Sequence, residues 1–478
     1  MNYRMIFYIL GWVLNIEAAA MLLPLVCAII YADNGFMALI LSILICLFVG
    51  VLLTFRAPEN KTMYAKEGFI TVALSWITLS IFGCFPFIIS GSIPNFFDAF
   101  FETVSGFSTT GASILTDVEA LPKSLLFWRS FTHWLGGMGV LVFLVSILPL
   151  SGGHNLHLIR AESTGPAVTK LVPKVKNTAG ILYTIYLCMT VLQVIFLLCG
   201  GMSLFEALTT SFGTAGTGGF GIKNDSMASY SPYIQSVVTV FMILFGVNFS
   251  LYYLLLCGKI KSVLKSEELR TYVGIIIAAI TVIAFNCHHM FESIGETIRH
   301  SAFQVGSIIT TTGFMSNDFD KWPELSKSVL VLLMFVGACA GSTGGGIKVS
   351  RILVLLKSIV KEVKLAAQPG LTKKITVDNR LVEHETVRSI NVFIVSYLVI
   401  LVVSVLLISV DNFDFTTNVT AVISAINNIG PGLGSVGPAQ NFVAYSAFSK
   451  VILSLNMLTG RLEIFPMLIL FSPFTWKK

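Results

Sequence analysis

Four short polar strips that carry glycine interrupt an otherwise apolar chain of 478 residues. They read Ser108-Thr109-Thr110-Gly111-Ala112, Ala215-Gly216-Thr217-Gly218-Gly219, Thr310-Thr311-Thr312-Gly313-Phe314 and Asn427-Asn428-Ile429-Gly430-Pro431. Each strip lies between two long apolar segments. In lipid, backbone that is not helical is tolerated only where protein buries it or where it lines a water-filled cavity. The strips therefore limit the possible folds more than any other feature of the sequence.

The composition is that of a membrane protein. Hydrophobic residues make up 55% of the chain, charged residues only 12%, and the mean hydropathy is +0.83. A soluble domain carries about 25% charged residues. Many apolar runs are about 20 residues long, which is enough for a helix to cross the bilayer. The eight cysteines occur singly, mostly inside apolar segments, and we interpret them as small hydrophobic residues in helices.

We predict two spans near 6–31 and 36–55, followed by a unit that occurs four times: a long helix, a half-helix, a strip and a second long helix. The long helices are predicted near 69–90, 124–150, 178–200, 232–257, 271–290, 327–356, 389–410 and 442–470. The half-helices are predicted near 95–107, 203–215, 297–310 and 416–427. Each stretch from half-helix to strip is too short to cross the bilayer twice, so the strips are predicted to be re-entrant. The predicted domains are 1–66, 67–176, 177–268, 269–386 and 387–478.

Charge predicts the orientation of these elements. Lysine and arginine gather in alternate loops, near 56–66, 160–176, 259–270 and 357–388 and at the C-terminus, and such loops are cytoplasmic. Ten spans with both termini in the cytoplasm satisfy this pattern, and all four strips then lie on the outer side. The predicted fold is an all-α polytopic membrane protein with four parallel helix–pore-helix–helix repeats around a central pore, preceded by two extra transmembrane helices.

Four strips around one axis would form a ring of backbone carbonyls, which can replace the hydration shell of a monovalent cation. We take Gly111, Gly218, Gly313 and Gly430 as the centres, because glycine lets carbonyls turn inward without a side-chain clash. One such strip alone would be read as a helix-packing motif. The predicted filter residues are Thr109, Thr110, Gly111, Ala112, Thr217, Gly218, Gly219, Thr311, Thr312, Gly313, Phe314, Asn428, Ile429, Gly430 and Pro431. The predicted cation ligands among them are Thr110, Gly111, Thr217, Gly218, Thr312, Gly313, Asn428 and Ile429.

Ionisable residues near the strips have two possible roles. Acidic residues flank the half-helices, and they either concentrate cations at an outer mouth or cap helices. They are Asp98, Glu102, Glu206, Glu292 and Glu296. The histidines, His133 among them, are scattered and show no metal-ligand spacing.

A second glycine-rich stretch, Gly337 to Lys348, breaks the long helix after the third strip. It lacks the Gly-Lys-Ser/Thr run of a phosphate loop, and we interpret it either as a gate hinge or as close helix packing through small residues. Arg461 lies within the last long segment, where an arginine costs on the order of 3 kcal/mol and needs a partner or a wet cavity. The predicted gate consists of Gly341, Ser342, Thr343, Gly344, Gly345, Gly346, Lys348 and Arg461.

These motifs resemble the Trk/Ktr/HKT superfamily of potassium transporters, and within it the bacterial TrkH/TrkG type, over nearly the whole chain. The resemblance is carried by 104–112, 128–139, 216–220, 311–314, 340–348, 428–432 and 460–466, and by the N-terminal spans and Asn248-Phe249-Ser250. It implies K⁺ uptake across the bacterial inner membrane, a homodimer and a cytosolic TrkA-type ring of nucleotide-binding subunits. It also implies that the loop at 341–346 and Arg461 form the gate. Glycine at 111 and 218 favours K⁺ over Na⁺ by analogy with plant relatives.

Our leading hypothesis is a gated K⁺-conducting subunit that contacts K⁺, lipid, a partner ring and a second copy, with no organic cofactor and no nucleic acid. The alternative is an H⁺- or Na⁺-coupled K⁺ symporter with the same ring. A membrane-embedded enzyme would need paired carboxylates or a His–metal cluster near the middle of the bilayer, and the sequence offers neither. The basic loops at 154–176 and 357–388 either dock a partner or interact with anionic lipid.

Overall fold

The structure is a computed structural model that describes residues 1–60, 63–139, 175–368 and 374–476. Within these ranges the regular secondary structure is helical apart from one short antiparallel hairpin. The chain is thus an all-α polytopic membrane protein, as predicted. The basic residues near 160–174, Lys373 and the last two lysines lie outside the described ranges, as does the end of the predicted helix 124–150.

The two predicted N-terminal spans are present. The first consists of α1 (Tyr3–Ala20) and α2 (Leu22–Tyr31), and the second is α3 (Gly35–Thr54). α1 and α3 approach closely where two glycines meet: a Cβ atom placed on Gly11 would lie 2.9 Å from the carbonyl oxygen of Gly50. Small residues allow such close contact between helices in a membrane.

The remaining elements follow the predicted order of long helix, half-helix, strip and second helix. The first unit contains α4 (Ala65–Gly83), α5 (Phe85–Ile89), α6 (Phe96–Phe107) and α7 (Lys123–Gly137). The second contains α8 (Val175–Cys199), α9 (Leu204–Ala215), α10 (Pro232–Phe245), α11 (Phe249–Leu256) and α12 (Ile260–Leu264). The third contains α13 (Glu267–Cys287), α14 (Ile294–Ile309), α15 (Glu324–Val336), α16 (Val349–Ala367), β1 (Thr376–Val377) and β2 (Arg380–Leu381). The fourth contains α17 (His384–Ile408), α18 (Phe415–Asn427), α19 (Ala447–Arg461), α20 (Phe465–Phe471) and α21 (Pro473–Trp476).

The second helices of the last three units are interrupted. The break at 337–348 was predicted, whereas the breaks within the predicted helices 232–257 and 442–470 were not. α10 and α11 meet at an angle of 91°. The segment 337–348 separates α15 from α16, and residues 462–464 separate α19 from α20. Among the described residues, six helices are long and apolar enough to span a membrane, or seven if the bent pair α10–α11 counts as one span. The ten predicted crossings therefore require broken helices.

Each half-helix begins at a residue whose side chain accepts a hydrogen bond from the backbone of the first turn. These capping residues are Asn95, Ser203, Ser293 and Asp414. Such N-caps satisfy donors that the helix itself leaves free, which explains why short helices form here. Only α14 departs clearly from its predicted start, because Ser293 caps it and the helix begins at Ile294, three residues before the predicted residue 297.

Candidate functional site

The four strips share one backbone conformation at the C-terminal end of the half-helices. In each strip two residues separated by one position have a positive φ. The pairs are Thr109 (57°) with Gly111 (82°), Thr217 (55°) with Gly219 (74°), Thr311 (59°) with Gly313 (82°), and Asn428 (56°) with Gly430 (101°). Positive φ is uncommon outside glycine, so its recurrence at matched positions indicates the same local geometry.

Backbone hydrogen bonds confirm this register. In each strip the residue between the two positive-φ positions donates its N–H to the carbonyl five residues earlier, inside the half-helix. The bonds are Thr110 to Ser105 (2.9 Å), Gly218 to Gly213 (2.8 Å), Thr312 to Ser307 (2.8 Å) and Ile429 to Ser424 (3.0 Å). Gly219, not Gly218, therefore corresponds to the other three glycines. Our choice of Gly218 as the centre of the second strip was wrong by one residue, because two adjacent glycines hide the register in the sequence.

The strips form a closed ring. A Cβ atom placed on Gly111 would lie 1.9 Å from the carbonyl oxygen of Gly218 in the next strip. The corresponding distances are 1.9 Å from Gly219 to the oxygen of Thr312, 2.1 Å from Gly313 to that of Ile429, and 2.7 Å from Gly430 to that of Thr110. Each strip thus contacts the following one, and the fourth contacts the first. The structure brings together the four strips that the sequence singled out.

Side chains in the first, third and fourth strips stabilise this arrangement from within. The hydroxyl oxygens of Ser108 and Thr110 are 2.7 Å apart, and those of Thr310 and Thr312 are also 2.7 Å apart. Asn428 uses its amide nitrogen to bond the Thr110 hydroxyl (3.0 Å), which links the fourth strip to the first. The hydroxyls of Ser108, Thr110, Thr310 and Thr312 are thus engaged with one another or with Asn428.

The C-terminal ends of the strips are packed by apolar side chains. Ala112 and Phe314 are buried, and the Phe314 ring lies against Gly213 of the second half-helix, where a Cβ atom would be 2.9 Å from it. Pro431 lies beside Gly313, 3.1 Å from a Cβ placed there. These three predicted residues therefore pack against neighbouring parts of the ring.

The glycine-rich segment 337–348 lies directly against the strips. Gly345 donates its N–H to the Thr311 hydroxyl (2.7 Å), and a Cβ on Gly345 would lie 2.4 Å from the carbonyl oxygen of Asn427. Cys339 donates to the Gly246 carbonyl and Gly341 accepts from Phe249, both at 3.0 Å, so the segment also lies against the break between α10 and α11. We call residues 337–348 the intramembrane loop.

Arg461 joins the intramembrane loop to the C-terminal end of α7. Its guanidinium donates to the carbonyl of Thr343 (2.8 Å) and to those of Gly136 (2.5 Å) and Gly137 (2.8 Å) at the end of α7. The side chain of Lys348 turns back onto the Gly344 carbonyl within the loop. The predicted gate residues are therefore in mutual contact, and backbone carbonyls supply the partners that a buried arginine needs.

Other residues around the loop were not singled out from the sequence as contacts of it. Glu463 forms an ion pair with Arg351 in the first turn of α16. Glu268 accepts a hydrogen bond from the Ala340 N–H (2.6 Å). Local sequence patterns do not predict these contacts, because the two partners in each contact are far apart in the sequence.

The acidic residues near the half-helices have mixed roles. Glu102 is fully buried in an ion pair with Arg129 (2.6 Å), so the outer-mouth interpretation was wrong for this residue. Asp98 pairs with Lys450 (2.6 Å), and Glu206 completes a capping box with Ser203. Glu292 and Glu296 lie near the start of α14, where Glu296 is 3.8 Å from Arg299. Most of these acids therefore act in caps or ion pairs.

Comparison with known proteins agrees with this architecture. Residues 35–478 match the model of the TrkH family, described as cation transport protein. The chain is 36% identical to the Trk system potassium uptake protein TrkH of Salmonella typhimurium, and 31% identical to TrkG of Escherichia coli K12. The first alignment covers 100% of both chains, and the second covers 100% of this chain and 99% of TrkG.

A solved structure is also similar along its whole length. The crystal structure of the potassium transporter TrkH from Vibrio parahaemolyticus superimposes with a TM-score of 0.89, at 32% sequence identity and with 100% of both chains covered. The chain belongs to the TrkH family of cation transport proteins.

Proposed function

We propose that this protein takes up K⁺ across the bacterial inner membrane, through a filter made of the four strips. The closed ring of strips is the observation that carries the proposal. In this proposal, the residues between the two positive-φ positions of each strip offer the carbonyls of Thr110, Gly218, Thr312 and Ile429 to the ion. These carbonyls would replace the water that K⁺ loses on entry. Relatives over the full length are potassium uptake proteins, which supports K⁺ as the cargo.

The intramembrane loop and Arg461 are the gate in this proposal. The loop lies against the ends of the third and fourth strips, and Arg461 places a positive charge beside it. A buried cation below a cation filter opposes permeation. In this proposal the ring, the loop and the guanidinium form a closed conduction path. The path opens when the loop breaks its contacts with Arg461.

The proposed partners are a second copy of this chain and a cytosolic TrkA-type nucleotide-binding ring, as family membership suggests. α16 begins directly after the intramembrane loop and extends to Ala367, with exposed basic residues such as Lys364 along it. A cytosolic partner that moves α16 would therefore move the loop. Both termini are proposed to be cytoplasmic, in agreement with the basic loops.

Flux into liposomes tests the proposal. Purified protein in K⁺-loaded vesicles should take up ⁸⁶Rb⁺, and external K⁺ should compete with the tracer while Na⁺ at the same concentration should not. Equal competition by Na⁺ would contradict a K⁺ filter. Net uptake against the electrochemical gradient of K⁺, driven by an imposed proton or sodium gradient, would instead support the symporter.

A further inference from the structure

The imidazole of His133, in α7, lies directly behind the second strip. The residue is fully buried, and neither ring nitrogen has a hydrogen-bond partner among the residues that the structure describes. A Cβ atom placed on Gly218 would lie 1.5 Å from Nδ1 of this ring. A buried polar group without a partner is costly, so the position calls for a functional explanation.

Position 218 requires glycine because there is no space for a side chain, and not because of its backbone angle. Its φ lies outside the left-handed region, so the backbone alone would accept other residues. The residues at the same position of the other strips do carry side chains: Thr110, Thr312 and Ile429. In the second strip, the imidazole of His133 takes the place of that side chain.

The second strip also lacks the internal support found in the first and third strips. There, hydroxyl pairs join positions 108 to 110 and 310 to 312. The corresponding residues of the second strip are Gly216 and Gly218, which can form no such pair, and Gly219 follows. Glycine is the most flexible residue in a backbone. This strip must therefore be held from outside.

The ring of His133 is itself held firmly. It packs edge to face against Phe220, with centroids 4.2 Å apart. The guanidinium of Arg129 lies 3.5 Å from the centre of the Phe220 ring and also forms the ion pair with Glu102. Arg129 also donates to the carbonyl of Gly221 (2.9 Å), just beyond the second strip. These contacts connect His133, the second strip and the first half-helix as one packed unit.

We infer that His133 is a specificity-determining positioning residue, whose bulk holds the Gly218 and Gly219 carbonyls at the level of the other three strips. The inference rests on the proposed filter function. Discrimination between K⁺ and Na⁺ depends on the positions of the carbonyl oxygens and on how freely these oxygens move. Loss of the imidazole leaves the second strip free to contract around the smaller ion.

The test is the K⁺/Na⁺ flux ratio of His133→Ala in liposomes. We expect the ratio to fall on the order of tenfold, the change produced by about 1.4 kcal/mol, while Rb⁺ flux persists. His133→Gln, which has similar bulk, should retain most of the ratio. The matched control is His300→Ala in α14, because the His300 ring is buried but bonds Ser316 (2.9 Å), which is not a residue of any strip. This control should keep the wild-type ratio.

A second pair of variants tests the contact directly. Gly218→Ala should lose flux in the wild-type background, where the added methyl group meets Nδ1, and should regain it when combined with His133→Ala. Gly219→Ala should not be rescued, because its φ of 74° and the Thr312 carbonyl forbid a side chain independently of His133.

An unchanged ratio in His133→Ala would overturn the inference, as would equal effects of Gly218→Ala with and without His133. In either case, the proposed filter function would still hold if the wild type prefers K⁺ over Na⁺. A wild type that does not prefer K⁺ over Na⁺ would overturn the filter itself, and this inference with it.

Discussion

Glycine in the centre of each strip is required by the backbone angle and by the neighbouring carbonyl together. Gly219 has a φ of 74° and lies where a Cβ would be 1.9 Å from the Thr312 oxygen. An L-residue in the left-handed region is destabilised by roughly 1–2 kcal/mol. The added Cβ would raise this cost further, because it must displace the Thr312 oxygen, which we assign to the filter.

Gly219→Ser should therefore reduce K⁺/Na⁺ selectivity on the order of tenfold, because the displaced Thr312 carbonyl no longer matches its three counterparts. Ion competition in liposomes measures the ratio. Gly201→Ser is the matched control, since Gly201 also has a positive φ (87°) but has no atom within 4 Å of the added Cβ. If both variants kept the wild-type ratio, Gly219 would not belong to the filter.

Arg461→Ala should increase K⁺ flux, because the intramembrane loop loses the donor to Thr343 and the conduction path loses a positive charge. Arg461→Lys should give an intermediate flux: it retains the charge but cannot reach Thr343, Gly136 and Gly137 simultaneously as the forked guanidinium does. Tracer flux of each variant, normalised to folded protein in the vesicles, is the measurement. Lower flux in Arg461→Ala than in wild type would contradict the gating role.

At the level of single residues, the sequence predicted the strips and the buried arginine but not the residues that they contact. The strips were visible because polar residues and glycine stand out in an apolar chain. The register of the second strip and the location of His133 were not, because they depend on contacts between residues 85 positions apart. Flanking acids were ambiguous for the same reason, and burial with Arg129 decided the role of Glu102.

Among the elements, the intramembrane loop is the one most dependent on contacts with other parts of the chain. It binds the third strip through Thr311, the break between α10 and α11 through Gly246 and Phe249, and α13 through Glu268. At its C-terminal end, Arg351 is paired with Glu463 between α19 and α20. A segment with few internal bonds and several external ones can change state when one external contact is released.

Glu463→Gln and Arg351→Gln should each lower thermal stability in detergent and raise basal flux, because each leaves a buried charge without its partner. The exchange Arg351→Glu with Glu463→Arg should recover part of both losses. A double-mutant cycle should give a coupling of about 1–3 kcal/mol. The control pair is Lys327 and Glu324, an ion pair whose glutamate is 86% exposed and whose coupling should be below about 1 kcal/mol. Equal coupling in the two pairs would contradict a special role for Arg351.

Sequence periodicity predicted where helices begin better than where they are interrupted. The half-helices were located within about three residues because caps such as Ser203 and Asp414 mark their starts. The breaks at 246–248 and 462–464 were missed, since Asn248 and Glu463 occur in segments that are otherwise apolar. Their causes are tertiary: Asn248 lies beside Gly341, and Glu463 faces Arg351.

In the proposed orientation of the whole molecule, all four strips are accessible from the outer face and the basic segments from the cytoplasm. Asn224, near the second strip, and Lys261, in α12, are both exposed and belong to opposite sides in this arrangement. In spheroplasts, a membrane-impermeant maleimide should label Asn224→Cys but should label Lys261→Cys only after permeabilisation. The wild type, with its eight native cysteines, supplies the background. Labelling of both sites in intact spheroplasts would contradict the orientation.

The most direct measurement is the anomalous scattering of Rb⁺ in crystals of the protein grown in its presence. We expect anomalous density on the axis of the ring, between the carbonyls of Thr110, Gly218, Thr312 and Ile429, and its loss when Na⁺ replaces Rb⁺. An ordered ring without density on its axis, or Rb⁺ bound away from all four strips, would contradict this expectation.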